Sequence, residues 1–264
     1  MHRSMFRTAA ITIVFAITLS GCATSDVNVS VSTVSAAQVP EGYLCAGREI
    51  SGDALEVRAP ISELSASGRA ALESAVVDDG TPWTLPDLDD WFVAFETDER
   101  IGFVRELDTD IDVGSGEAPH DSEVAIIMWV GDAPNVSPGW YLSSSSTCAL
   151  TIDLGELSPP SIFLAEPIDP SSREVQLLVT EQNCNSGDDA EGRIEVVRME
   201  ETEDSVALVV GVRARGGGQT CQGNPATPFT ITLAEPIGNR EIINAVLAKP
   251  RPLTVAPDGT QSTS

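Results

Sequence analysis

The chain has 264 residues, with 40 acidic against 15 basic side chains and a formal net charge of −25. Such a field excludes nucleic acid as a partner, because no basic stripe exists to neutralise phosphates and the only lysine is Lys249. It also opposes lying flat on anionic lipid, yet enough Val, Ile, Leu and Trp remain to bury real cores, so this is not a disordered acidic chain.

The opening MHRSMFR supplies Arg3 and Arg7, and AAITIVFAITL, Ala9 to Leu19, follows as an apolar run too short to span a bilayer. It ends in LSGC, with Gly21 immediately before Cys22. This stretch resembles the lipobox of bacterial lipoproteins. The resemblance implies a signal peptide over residues 1–21, lipid attachment to Cys22, and a body tethered to the cell membrane on its extracytoplasmic face. Residues 22–42 then hold the lipidated cysteine and a polar, flexible spacer.

The first folded region is expected over residues 43–155, as a small α+β unit. ISELSASGRAALESAVV carries its best helix, with Ser65 or Ser67 able to cap. GTPWTLPDLDD reads as a loop interrupted by Pro82 and Pro86. WFVAFETDERIGFVREL reads as a hairpin, with Trp91, Val93 and Phe95 on one face and Ile101 and Phe103 on the returning strand. EVAIIMWV, Glu123 to Val130, is apolar on both faces and suits a central strand. The tryptophans Trp83, Trp91, Trp129 and Trp140 gather in this region, as core or as the lining of a groove.

The second region, residues 156–248, is nearly all strand signal, which predicts a β-sandwich-like, Greek-key unit. EVQLLVTEQ is one strand, and GRIEVVRMEETEDSVALVVGVRA is two around a charged turn, with Val206, Leu208, Val210 and Val212 sharing a face. IFLAEPI, Ile162 to Ile168, returns as ITLAEPI, Ile231 to Ile237, and both copies lead on to Arg-Glu and an aliphatic residue. Pro167 and Pro236 cannot donate to a sheet ladder, so each belongs at an edge or a strand end. Residues 249–264 read as a flexible, proline-rich tail.

LLVTEQNCNSG and GGGQTCQGNPATPFTITLAEPIGNREI together are similar to a segment of secreted and lipid-anchored proteins of high-GC Gram-positive bacteria. The likeness spans about residues 174–243. It implies a small extracellular domain in which Cys184 and Cys221 pair, and it brings no catalytic residue with it.

With Cys22 lipidated, Cys45, Cys148, Cys184 and Cys221 remain, an even number that reads as two disulfides in an exported chain. Three pairings are open. The pairing 45–148 with 184–221 is preferred because each bond then lies within one region. Zinc is disfavoured, since no cysteines have the close spacing of a zinc site. GGGQTCQGNP also fails as a phosphate loop: its glycines lead into another strand, where phosphate binding needs a helix N-terminus. A stapled turn is the better reading.

His120, beside Asp121, is the single candidate for a neutral-pH base once the signal peptide is gone, and no G-x-S-x-G elbow supplies a nucleophile. DLDDW gives one acidic cluster, and Asp108, Asp110, Asp112 and Glu117 give another. The alternating acids of the second suit a calcium loop. They depart from the EF-hand pattern, because Gly114 comes one residue late and Pro119 stands where the terminal glutamate belongs. The expected function is a non-enzymatic binding or structural role with no cofactor, its partner an extracellular protein or a cationic ligand. The alternative is an extracellular hydrolase with paired carboxylates in the first region.

Overall fold

The computed structural model describes residues 42–113, 118–134 and 136–257, which fall within one compact unit. The expected signal peptide, Cys22, Glu117 and the end of the tail lie outside the described residues.

The described chain enters as a hairpin of β1 (Gly42–Cys45) and β2 (Arg48–Ser51), which reverses through Ala46 and Gly47, both at positive φ. Ser51 then caps a short helix, α1 (Gly52–Val57), its hydroxyl accepting from the Ala54 N–H at 3.1 Å. A 3-10 turn over Ile61–Glu63 leads to α2 (Ala66–Glu73). Ser65 caps this helix by accepting from the Gly68 N–H at 3.0 Å, and Glu96 also takes up the Ser65 N–H and hydroxyl. The helix is shorter than the sequence suggests. Val76 is drawn into a strand-like pairing instead, its N–H donating to Trp140 at 3.0 Å and its carbonyl accepting from Leu142 at 2.8 Å. β-branched residues resist helix and suit such an edge.

The heart of this region is an antiparallel meander of β3 (Trp91–Glu96), β4 (Arg100–Ile111), β5 (His120–Val130) and β6 (Gly139–Cys148). The predicted hairpin over β3 and β4 is present, with one correction. A bulge between Val93 and Phe95 places both Ala94 and Phe95 against the face opposite Trp91 and Val93. Phe95 is there because its ring lies over Gly102, where a Cβ would approach ring carbons to 2.3 Å. The sheet is covered on both sides. α2, the 3-10 turn and Leu85 bury Trp91, Ile101, Phe103 and Ile127, while β1, β2 and α1 cover Phe92, Val104, Val124 and Ile126. β5 is accordingly apolar on both faces, as its composition predicts.

β7 (Thr151–Ile152) pairs with β1 and carries the chain into an all-β region. There β8 (Leu157–Ser158), β9 (Ser161–Leu164), β10 (Glu174–Thr180), β11 (Ile194–Glu201), β12 (Ser205–Arg213), β13 (Thr227–Thr232), β14 (Glu241–Asn244) and β15 (Arg251–Pro252) form curled sheets. One sheet has the order β13–β10–β9; the other runs β11–β12–β14–β15, with β8 on β12. Val175, Leu177, Val179, Val206, Leu208, Val210, Val212 and Ile231 share one core between them. Each such aliphatic side chain contributes about 1.5–3 kcal/mol on burial. β12 and β14 pair in parallel, a crossover made possible because β13 between them lies in the other sheet.

The repeated sequences occupy matched positions. IFLAEPI supplies β9 and ITLAEPI follows from β13, and these two strands flank β10 on opposite sides. Pro167 and Pro236 fall beyond the strand ends, where no ladder hydrogen bond is needed.

The two regions share backbone pairing. The Ile152 N–H donates to Val246 at 2.7 Å and the Ala248 N–H to Leu150 at 2.8 Å. Val209, on the far side of β12 from its main core, packs with Ala245, Val246 and Leu247. The expected loose tail is ordered over residues 251–256: β15 pairs with β14, the Leu164 N–H donates to Thr254, and the Ala256 N–H donates to Leu164. Leu253 is partly buried against the core, and this apolar anchor outweighs the local bias of the flanking prolines.

Candidate functional site

A groove of about 880 Å³ lies where the two regions meet. One wall is the junction of β5 and β6, with His120, Thr147 and Ala149; the opposite wall is Pro159, Pro160 and β9. The returning chain, from Asn244 to Thr254, closes the third side. Most of the lining is apolar, contributed by prolines, Ile162, Phe163, Val246, Leu247 and Leu253.

Several polar groups at this groove are held by hydrogen bonds or ion pairs within the protein. His120 Nδ1 lies 2.8 Å from the Thr147 hydroxyl, so the loop histidine of the sequence reading is the first residue of β5 and half-buried. Asn244 Oδ1 accepts from the Val246 N–H at 3.2 Å and fixes the bend after β14. Arg251 donates to Asp110 at 2.7 Å and to Asp121 at 3.4 Å. Asp121 is only 5% exposed and also accepts from the Ser122 hydroxyl at 3.0 Å. Its partners Arg251 and Lys249, the latter at 3.9 Å, supply the opposite charge that a buried carboxylate requires.

The electrostatics run in one direction. The Arg251 guanidinium holds the Asp110 carboxyl below its ordinary range, and Asp110 in turn raises the pKa of Arg251. Arg58, hydrogen-bonded to Glu106, lowers that carboxyl too, assisted by Lys249. These acids are kept ionised at neutral pH, as salt-bridge partners are, and are poor proton donors there.

Asp108 and Asp110 lie at alternate positions near the exposed end of β4, and Asp112 follows just beyond it. Asp112 reaches the groove, whereas Asp110 is committed to Arg251. Among the described residues no cluster of three or more His, Cys, Asp or Glu is arranged to hold a metal ion. The DLDDW acids sit apart, on a 3-10 turn over Leu88–Asp90 with Trp91 Nε1 donating to the Pro86 carbonyl at 2.8 Å.

Both preferred disulfides are formed: Cys45–Cys148 joins β1 to the end of β6, and Cys184–Cys221 ties the loop after β10 to the loop before β13. In the GGGQTC turn only Gly217 of the three glycines takes a positive φ, 83°. Ser186 fastens the turn across the disulfide, its hydroxyl meeting Gln219 at 2.8 Å and its N–H donating to Thr220 at 2.9 Å.

Two smaller hollows flank the first region. One, of about 680 Å³, contains Glu49, Asp153 and Arg100; the other, of about 370 Å³, contains Glu96 and Asp98. Glu96 is occupied in holding the start of α2. The sequence reading missed Arg251, Asn244, Phe163 and Leu253 as groove residues. The signal that existed was the spacing of Leu253 after β14, which composition alone marks as tail.

No family model, curated protein or solved structure matches the chain.

Proposed function

We propose that this chain is a lipid-anchored extracytoplasmic protein whose groove between the two regions binds an apolar ligand, without chemistry on it. The carrying observation is the lining. It is mostly hydrophobic, and Asp112 is the only carboxylate that reaches it among the described residues. A hydrolase with paired carboxylates needs two acids converging on one cavity, with one of them available as a proton donor. Concave, apolar sites with a few placed polar groups are instead the usual form of small-molecule binding sites. His120, Thr147 and Asn244 are the groups able to orient a ligand's polar end.

Three features support anchorage and export: the short apolar run, LSGC ahead of Cys22, and two disulfides. No helix among the described residues is long and apolar enough to cross a membrane. The C-terminal region is best described as sandwich-like, because its two sheets close on one core.

The groove is tested with N-phenyl-1-naphthylamine, a neutral dye that the protein's negative field does not repel. The folded chain should bind it with increased fluorescence, and Ala149→Trp, which fills the groove, should weaken binding at least tenfold. An absence of binding, or equal binding by the variant, overturns the reading. Anchorage has its own measurement: mass spectrometry of protein made in a bacterial host should find a diacylglyceryl group on Cys22, and an unmodified, uncleaved N-terminus refutes it.

A further inference from the structure

In and beside the loop stapled by Cys184–Cys221 are three buried oxygens without a hydrogen-bond donor: Glu181 Oε1, Asn185 Oδ1 and Asn224 Oδ1. Glu181 is 3% exposed and Asn185 fully buried. A buried acceptor left without a partner costs about 1–3 kcal/mol, so three of them there call for an occupant.

The orientation of both amides is fixed by their nitrogens. Asn185 Nδ2 donates to the carbonyls of Asp188 at 2.8 Å and Asp189 at 3.1 Å, and Asn224 Nδ2 to those of Glu181 at 2.8 Å and Asn183 at 2.7 Å. Flipping either amide would set oxygen against oxygen. The three residues are also linked to one another. Arg193 donates both to Glu181 Oε2 at 2.7 Å and to the Asp189 carbonyl at 2.8 Å, which is also the acceptor of Asn185. Asn224 reaches the backbone of Glu181 itself.

We propose that this loop binds a hard cation, with calcium the best fit, through Glu181 Oε1 and the side-chain oxygens of Asn185 and Asn224. The donor set is all oxygen, one carboxylate and two amides, as calcium prefers, and solvent oxygens complete its coordination. One cation bound by all three would satisfy them together, where a single water has only two protons to give. Charge favours it as well. Arg193 neutralises one side of Glu181 and Arg215 pairs with Asp188, but Asp189 and Glu191 stand in the same loop and the chain as a whole carries −25. With one carboxylate in the set, binding belongs in the range of extracellular calcium modules, about 10⁻⁴–10⁻³ M.

The test uses the full ectodomain from residue 23 with its disulfides intact. Equilibrium dialysis against calcium in 0.1 M NaCl should find one saturable ion per chain. Calcium at 10 mM should raise Tm by about 3–10 °C, and magnesium by less. Glu181→Gln keeps an acceptor for Arg193 and should abolish both effects while remaining folded without calcium. Asp108→Asn with Asp112→Asn should leave them intact, which places the ion in the stapled loop. No saturable ion on the wild-type protein overturns the proposal and leaves the oxygens to water, whatever the variants do. Loss of the ion in the Asp108/Asp112 variant and not in Glu181→Gln also overturns it, and returns the acids of β4 as the site.

Discussion

At the scale of single residues, Glu201 shows how a charge survives partial burial. Burial pushes its pKa up, but the Ala234 N–H at 2.7 Å and Arg240 at 2.7 Å more than reverse this and hold it below its ordinary value. A carboxyl whose pKa is lower folded than unfolded stabilises the fold above its unfolded pKa. That stability is lost as pH falls through the folded value. Stability should therefore decline as pH drops below about 5, in the range of ordinary glutamate titration and beneath it. Glu201→Gln should cost about 2 kcal/mol at pH 7 and flatten the decline between pH 5 and 3. Urea midpoints across that range make the measurement, and an unchanged acid slope in the variant refutes the assignment.

At the scale of elements, the bulge in β3 is what aims Phe95. A strict alternation from Trp91 would send Phe95 toward α2, and the sequence reading followed that alternation. The extra residue at Ala94 breaks the period, and nothing local announces it; the reason lies across the sheet, where Gly102 leaves room for the ring. Gly102→Ala should destabilise the protein by about 1–3 kcal/mol through this contact. Combined with Phe95→Ala it should cost less than the two single substitutions together. Full additivity in thermal or urea unfolding would show that the ring does not depend on the glycine. Other elements were legible because their signals are local. Ser65 stands at the cap of α2, the apolar run of β5 is central, and the prolines of the repeat fall past their strands. α1 was missed although Ser51 and Asp53 carry an ordinary start signal, because the helix is too short to show a period.

At the scale of the whole molecule, the sequence revealed a mixed region followed by a strand-rich one, and it paired the cysteines. It did not reveal that the two share backbone hydrogen bonds through residues 246–248, nor that β12 and β14 run parallel. Both depend on contacts between residues far apart in sequence, and periodicity carries no record of such partners. The groove was illegible for the same reason. His120 and Asp121 were visible as isolated residues, but their setting is made by Arg251, Leu247 and Leu253 from the far end of the chain. Only the folded arrangement shows the candidate base tied to Thr147 and its acidic neighbour to an arginine.

The segment from Asn244 to Thr254 has a consequence for how the protein is made. A chain synthesised from its N-terminus delivers β5, β6 and β9 first and this segment after them, so the first two walls emerge with their apolar sides uncovered. The groove is then a property of the finished chain and not of any earlier stage. During that interval Ile162 and Leu164 lack their final neighbour until the last wall arrives.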